Sequence, residues 1–204
     1  MTREPPALVL ASGSVTRRAL LEAAGVATDM QPADVDERAL RDRLIAADPD
    51  VSHESVALAL ADAKAEAVSR ARPDALVIGA DQVLSCNGHL FEKPASIDEA
   101  RRHLAWLRGK THALHSAVAL AANGTVVWRT VQTAHLTLRP FSDAALDAYL
   151  ARAGESVLTS VGAYRIEGPA VQLFESIEGD HTTVLGLPLL PLLAELRRRE
   201  VLIP

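Results

Sequence analysis

The sequence predicts an α/β fold, and three observations carry that prediction. Residues 7–11, ALVLA, and 75–78, ALVI, are short unbroken apolar runs that read as buried strands. Helical segments with capping residues separate the strands. Residues 112–138 hold two strand-like stretches around Asn123-Gly124, a strong hairpin dipeptide.

In chain order, the first strand gives way to Ser12-Gly13-Ser14, and a helix starts near Val15 or Thr16 and stops at Gly25. Backbone N–H groups at such a start are unpaired, so the loop is suited to an anion. Arg17 and Arg18 sit in the first turn, where cations oppose the helix dipole and a bound anion would relieve them. The acidic cluster Asp34-Val35-Asp36-Glu37 leads into a less regular segment up to Pro49. Carboxylates so close together suit a divalent cation such as Mg²⁺. Residues 53–70 form a long helix capped by Ser52, with Lys64 set among alanines.

The stretch VIGADQVLSCNGHLFEKP at 77–94 organises the rest. It places Asp81 at the end of a buried strand, turns at Asn87-Gly88 and brings Lys93 back. A carboxylate there suits a metal ion or a proton from water, and a lysine suits a phosphate. Ser96 and Glu99 form a capping box for a helix through Leu107. Ser142 caps another to about Arg152. Residues 162–169, GAYRIEGP, read as a ligand-facing loop, 171–177 as a strand, 178–181 as a turn, and the chain ends in a helix running to Arg197-Arg198-Arg199. His112 and His115 are three apart on a strand, hence on opposite faces, which argues against joint metal ligation.

Composition bounds the function. The chain has 204 residues, 49% of them hydrophobic and only 3% aromatic, so an aliphatic core forms without disulfides. A net charge of −5 argues against non-specific nucleic-acid binding, which needs a basic face. One cysteine, Cys86, excludes an intramolecular disulfide and reads as a small buried hydrophobe. Residues 2–6, TREPP, lead straight into the first strand, so no signal peptide is expected. No apolar run is long enough to span a bilayer, and the expected setting is cytoplasmic.

Taken together, LVLASGSVTRRALLEAAG, DVDE at 34–37, LADAKAEAV, VIGADQVL with the later Lys93-Pro94, LRGKTHALHSAVAL, GAYRIEG and the IEGD and VLGLPL ending resemble the Maf family of nucleoside triphosphate pyrophosphatases, from Leu8 to about Leu196. The resemblance implies a single Maf-like domain over 1–204. Its fold would be an elongated mixed sheet flanked by helices, with two lobes and a central cleft, like the house-cleaning inosine triphosphate pyrophosphatases. It implies hydrolysis of the α–β phosphate bond of a nucleoside triphosphate, with Mg²⁺ or Mn²⁺, giving monophosphate and pyrophosphate and clearing modified nucleotides. Family members are often dimers, so a homodimer is compatible. Asp81, Lys64 and Lys93 would be catalytic, with Asp81 the proton acceptor. Ser12, Ser14, Arg17, Arg18, Gln82 and Glu167 would bind substrate, and Asp81 and Glu37 would hold the metal.

Gln82 and Glu167 match the branch that prefers 7-methyl-GTP, while Thr16 fits neither branch and Val15 replaces the usual proline. A glutamate accepts hydrogen bonds from the N1–H and 2-amino group of guanine, whereas uracil offers one N–H between two carbonyls. A guanine-type base is therefore expected. Two rivals remain: a hydrolase releasing the terminal phosphate, and a nucleotide-binding regulator of cell division with little or no turnover.

Overall fold

The structure, a computed structural model, describes residues 6–202. The residues read as lacking a signal peptide, up to Pro5, lie outside that range. The chain divides into two compact units.

The first unit comprises the described residues up to Gln82, Ser116–Gln132 and the residues from Asp180 on. Strand β1, Ala7–Leu10, pairs in parallel with β2, Asp29–Met30, and with β3, Ala75–Cys86. Beyond β3 come β5, Thr111–Ala122, and β6, Thr125–Leu138, which are joined by Asn123-Gly124 with both φ angles positive, at 51° and 76°. Only the first part of β3 and β6 and the last part of β5 belong to this unit.

β1 and β3 are buried on both faces, which is why they read as continuous apolar runs. Leu8, Leu10, Ile78 and Ala80 join Leu21 of α1, Val15–Ala23, and Leu192 and Leu196 of α7, Leu189–Arg198. On the other face Val9, Ala11 and Val77 pack with Val68 of α3, His53–Ala71.

Two departures from the expected pattern have physical causes. Residues up to Pro49 were expected to be irregular, yet Glu37–Ala47 is a helix, α2. The Asp36 carboxylate caps it by accepting from the Ala39 N–H, and its apolar side, Leu40 and Leu44, is short and only half-buried, so it announces itself weakly. β3 does not end at Asp81 but runs on to Cys86, which makes Asp81 a mid-strand residue.

The second unit comprises Val83–His115 and Thr133–Gly179. The end of β3 forms an antiparallel hairpin with β4, His89–Phe91, as the Asn87-Gly88 turn predicts. β7, Phe174–Glu178, pairs antiparallel with β6. The expected strand at 171–177 is thus shifted, because Pro169–Leu173 forms a 3₁₀ turn with proline in its first turn. Helix α4, Ile97–Leu107, packs on α5, Asp143–Ala153, and both start at the predicted serine caps, Ser96 and Ser142. Cys86 is buried, as expected. In the first unit, the last segment begins with a short helix, α6, His181–Val184, rather than a plain turn.

Candidate functional site

Three of the predicted residues meet on one amine. Lys64 Nζ lies 2.6 Å from Asp81 Oδ1 and 2.9 Å from Glu37 Oε1. Lys64 and Asp81 are 8% and 5% exposed, whereas the Glu37 side chain is half exposed. A buried ion pair is a poor stabiliser, because desolvating two charges costs about what their attraction returns.

The local sequence explains the geometry. Gly79 faces α3, where an added Cβ would lie 2.3 Å from Ala61 O and 2.6 Å from Ala65 N. This absence of a side chain lets β3 and α3 approach closely, and Lys64 and Asp81 sit beside that contact. Glu37 arrives as the first residue of α2, while Asp36 is spent on the cap and Asp34 is exposed. Of the acidic cluster, only Glu37 reaches Lys64.

Ser12, Ser14 and Arg17 are brought together at the start of α1. Ser14 Oγ caps the helix by accepting from the Arg17 N–H, and the Ser14 N–H donates to Ser12 Oγ at 3.2 Å. The Arg17 guanidinium donates from Nη1 to Ala80 O at 2.8 Å and to Ser12 Oγ at 3.3 Å, and from Nε to Gly186 O at 2.8 Å. Burial lowers its pKa, and the charges of Asp81 and Glu37 oppose that shift. An arginine remains protonated under such a shift. Arg17 thus braces the loop against β3. Arg18 is exposed and pairs with Glu22 at 2.6 Å, one turn along α1.

Gln82 follows Asp81 on β3, and consecutive strand residues face opposite sides. Its Nε2 donates to Ser116 Oγ, Val184 O and Thr183 O at 2.9, 3.1 and 3.2 Å. No local signal in the sequence points to Ser116 or Thr183, which are 34 and 101 residues from Gln82.

Lys93 and Glu167 belong to the second unit. Lys93 is exposed just after β4. Glu167 lies 3.5 Å from Arg165 in the glycine-bounded loop, where Ala163 has φ of 57° and its carbonyl accepts from Tyr149 OH at 3.1 Å. His112 and His115 make separate contacts, as their spacing predicts. His112 Nε2 is 2.6 Å from Tyr164 OH, and His115 bonds Ser85 and Thr133.

His112 carries a pH prediction. Burial holds its imidazole down at about 4, against an ordinary value near 6.5. Between those values the unfolded chain takes up a proton that the folded chain refuses. This contribution is therefore intact above about pH 6.5 and is lost as pH falls towards 4, costing about 3 kcal/mol in full. Urea unfolding at pH 7 and 4.5 should show wild type losing about 2 kcal/mol more than His112→Gln over that interval. Equal losses would refute the assignment.

The donor set at Asp81 and Glu37 fits a hard cation. Mg²⁺ takes carboxylate oxygens, keeps waters and binds through one or two carboxylates plus substrate phosphates. Among the described residues no group of three or more His, Cys, Asp or Glu side chains could hold a metal. Any cation here would therefore need phosphate and water oxygens to complete its shell.

The sequence profile described as "Maf-like protein" matches residues 7–199. The chain belongs to the Maf-like family. It is 53% identical over 192 residues to the 7-methyl-GTP pyrophosphatase of Rhizobium meliloti, which covers 94% of this chain and 96% of that one. The protein of the same description in Mesorhizobium japonicum is 54% identical over 190 residues, covering 93% and 94%. The nucleoside triphosphate pyrophosphatase of Gluconobacter oxydans is 50% identical over 196 residues, covering 96% of each chain. Among the described residues no helix is long and apolar enough to cross a membrane.

Proposed function

We propose that this chain is a nucleoside triphosphate pyrophosphatase that cuts the α–β phosphate bond and releases a nucleoside monophosphate and pyrophosphate. The observation that carries the reading is the buried Lys64 amine set between the carboxylates of Asp81 and Glu37 in a Maf-like chain. Asp81 accepts the proton of the attacking water, and Lys64 holds it in place and stabilises charge on the phosphate oxygens. Mg²⁺ or Mn²⁺ would be held by Asp81 and Glu37 and would neutralise phosphate charge when bound. Ser12, Ser14, Arg17 and Arg18 serve the phosphate tail, with Arg17 also holding the loop in shape. Lys93 is assigned to phosphate and Glu167 to the base on the family resemblance. The reading takes residues 1–204 as one Maf-like domain and includes a cytoplasmic homodimer.

Product analysis with Mg²⁺ tests it. Monophosphate plus pyrophosphate is the expected pair. Diphosphate plus orthophosphate, or binding without turnover, would overturn it.

For the base we propose guanine, with 7-methyl-GTP the preferred form. Gln82 and Glu167 are the supporting residues, and the names of the relatives from Rhizobium meliloti and Mesorhizobium japonicum agree. A buried, unmatched polar group costs about 1–3 kcal/mol, enough to separate bases by tenfold or more. Glu167→Gln should therefore lower the ratio of kcat/KM for 7-methyl-GTP over UTP by about tenfold. An unchanged ratio would remove Glu167 from base selection.

A further inference from the structure

We infer that Ser116 is a positioning residue for base selection, because its hydroxyl is the nearest, at 2.9 Å, of the three acceptors that hold the Gln82 amide by its NH₂ end and leave the carbonyl end to meet a ligand. The inference rests on the proposed role of Gln82 in reading the base.

Ser116 is fully buried on β5. Its Oγ donates to Thr183 O at 2.7 Å. A hydroxyl has a single proton, so towards Gln82 the Ser116 oxygen can only accept. The other two partners of the Gln82 amide, the carbonyls of Thr183 and Val184, also only accept. Three acceptors converge on one end of the side chain, so that end is the NH₂ group and the carbonyl oxygen lies at the other. The orientation of an amide is often ambiguous, and here the partners decide it.

The turn that supplies these carbonyls is itself held. The Thr183 N–H donates to Asp180 Oδ1 at 3.0 Å, and its hydroxyl donates to Gln132 Oε1 at 2.9 Å. Burial pushes the Asp180 carboxyl up, but its hydrogen bonds from Thr182 and Thr183 outweigh this and leave its pKa lowered. The network therefore locks Gln82 so that it offers a ligand an acceptor rather than a donor. An acceptor favours a base edge rich in N–H groups, which guanine has and uracil largely lacks.

The test is steady-state kinetics of Ser116→Ala, Ser116→Thr and Gln82→Ala with 7-methyl-GTP, GTP and UTP in Mg²⁺. Ser116→Ala should lower the kcat/KM ratio of 7-methyl-GTP over UTP about tenfold, through KM for the guanine nucleotides, with kcat on UTP within twofold of wild type. Ser116→Thr restores the hydroxyl and should restore the ratio. Ser116→Cys, close in volume but a weak acceptor, should behave like alanine and replaces it if Ser116→Ala does not fold. A loss of rate shared equally by all three nucleotides would make Ser116 merely structural and overturn the inference. So would an unchanged ratio in Ser116→Ala beside an altered one in Gln82→Ala, with the role of Gln82 surviving. If Gln82→Ala itself leaves the ratio unchanged, the role of Gln82 fails and the inference falls with it.

Discussion

Asp81→Asn is expected to lower kcat for pyrophosphate release by a factor of about 10² to 10⁴, the usual contribution of a positioned general base. The substitution keeps shape and hydrogen-bonding capacity but removes the charge that polarises water. The surroundings limit the collateral damage. Lys64 loses its ionised partner at 2.6 Å but keeps the Glu37 carboxylate at 2.9 Å, so its ammonium is not left unpaired. The fold should therefore survive with a loss of about 1–2 kcal/mol, below the 3–5 kcal/mol seen when a buried ion is stranded. Lys64→Met is different, because it leaves the 5%-exposed Asp81 without its ammonium. That variant should lose both activity and about 3 kcal/mol of stability. Steady-state pyrophosphate release together with urea unfolding separates the two effects. A folded Asp81→Asn protein with kcat within tenfold of wild type would remove Asp81 from the proton-accepting role.

How much of this site could be read in the sequence depended on how local its determinants are. The elements that carry it announce themselves: β1 and β3 as apolar runs, α1 by the Ser12-Gly13-Ser14 break before it, α3 by the cap Ser52, and the hairpins by Asn-Gly pairs. Asp81 and Lys64 stand out because a charge in an apolar context is unusual. What was hidden falls into two kinds. Helix α2 has no fully buried residue and only a short half-buried side, Leu40 and Leu44, so its Asp36 cap is its clearest signal, and an acidic cluster signals a loop equally well. The network of Ser116, Thr183 and Gln132 around Gln82 is assembled from three distant segments, and a serine inside an apolar strand looks locally like any small core residue. The strand expected at 171–177 shifted for a related reason: Val171 and Leu173 are apolar enough for a strand, but Pro169 starts a 3₁₀ turn that delays it until Phe174.

Gly79→Ala should be a severely damaging single-methyl change, costing about 3 kcal/mol or more and most of the activity. The new Cβ would lie 2.3 Å from Ala61 O, 2.6 Å from Ala65 N and 2.7 Å from Ala65 Cβ. Two of those three atoms are helix backbone, which cannot swing away as a side-chain tip can. Ala65→Gly would therefore not rescue the variant, since it removes only the third contact. The strain has to be relieved by moving α3 off β3. Lys64, the residue before Ala65, moves with the helix and is drawn away from Asp81. A displacement near 1 Å at a catalytic group costs about 10² in rate, so the surviving folded fraction should be slow as well as unstable. Gly88→Ala is the control. It has φ of +78° but nothing within 4 Å of the added carbon, so it should cost about 1 kcal/mol and leave kcat intact. Urea unfolding and pyrophosphate release on both variants decide the matter. A Gly79→Ala protein within 1 kcal/mol of wild type and fully active would mean that β3 and α3 do not need this close approach, and that Lys64 is held against Asp81 by the ion pair alone.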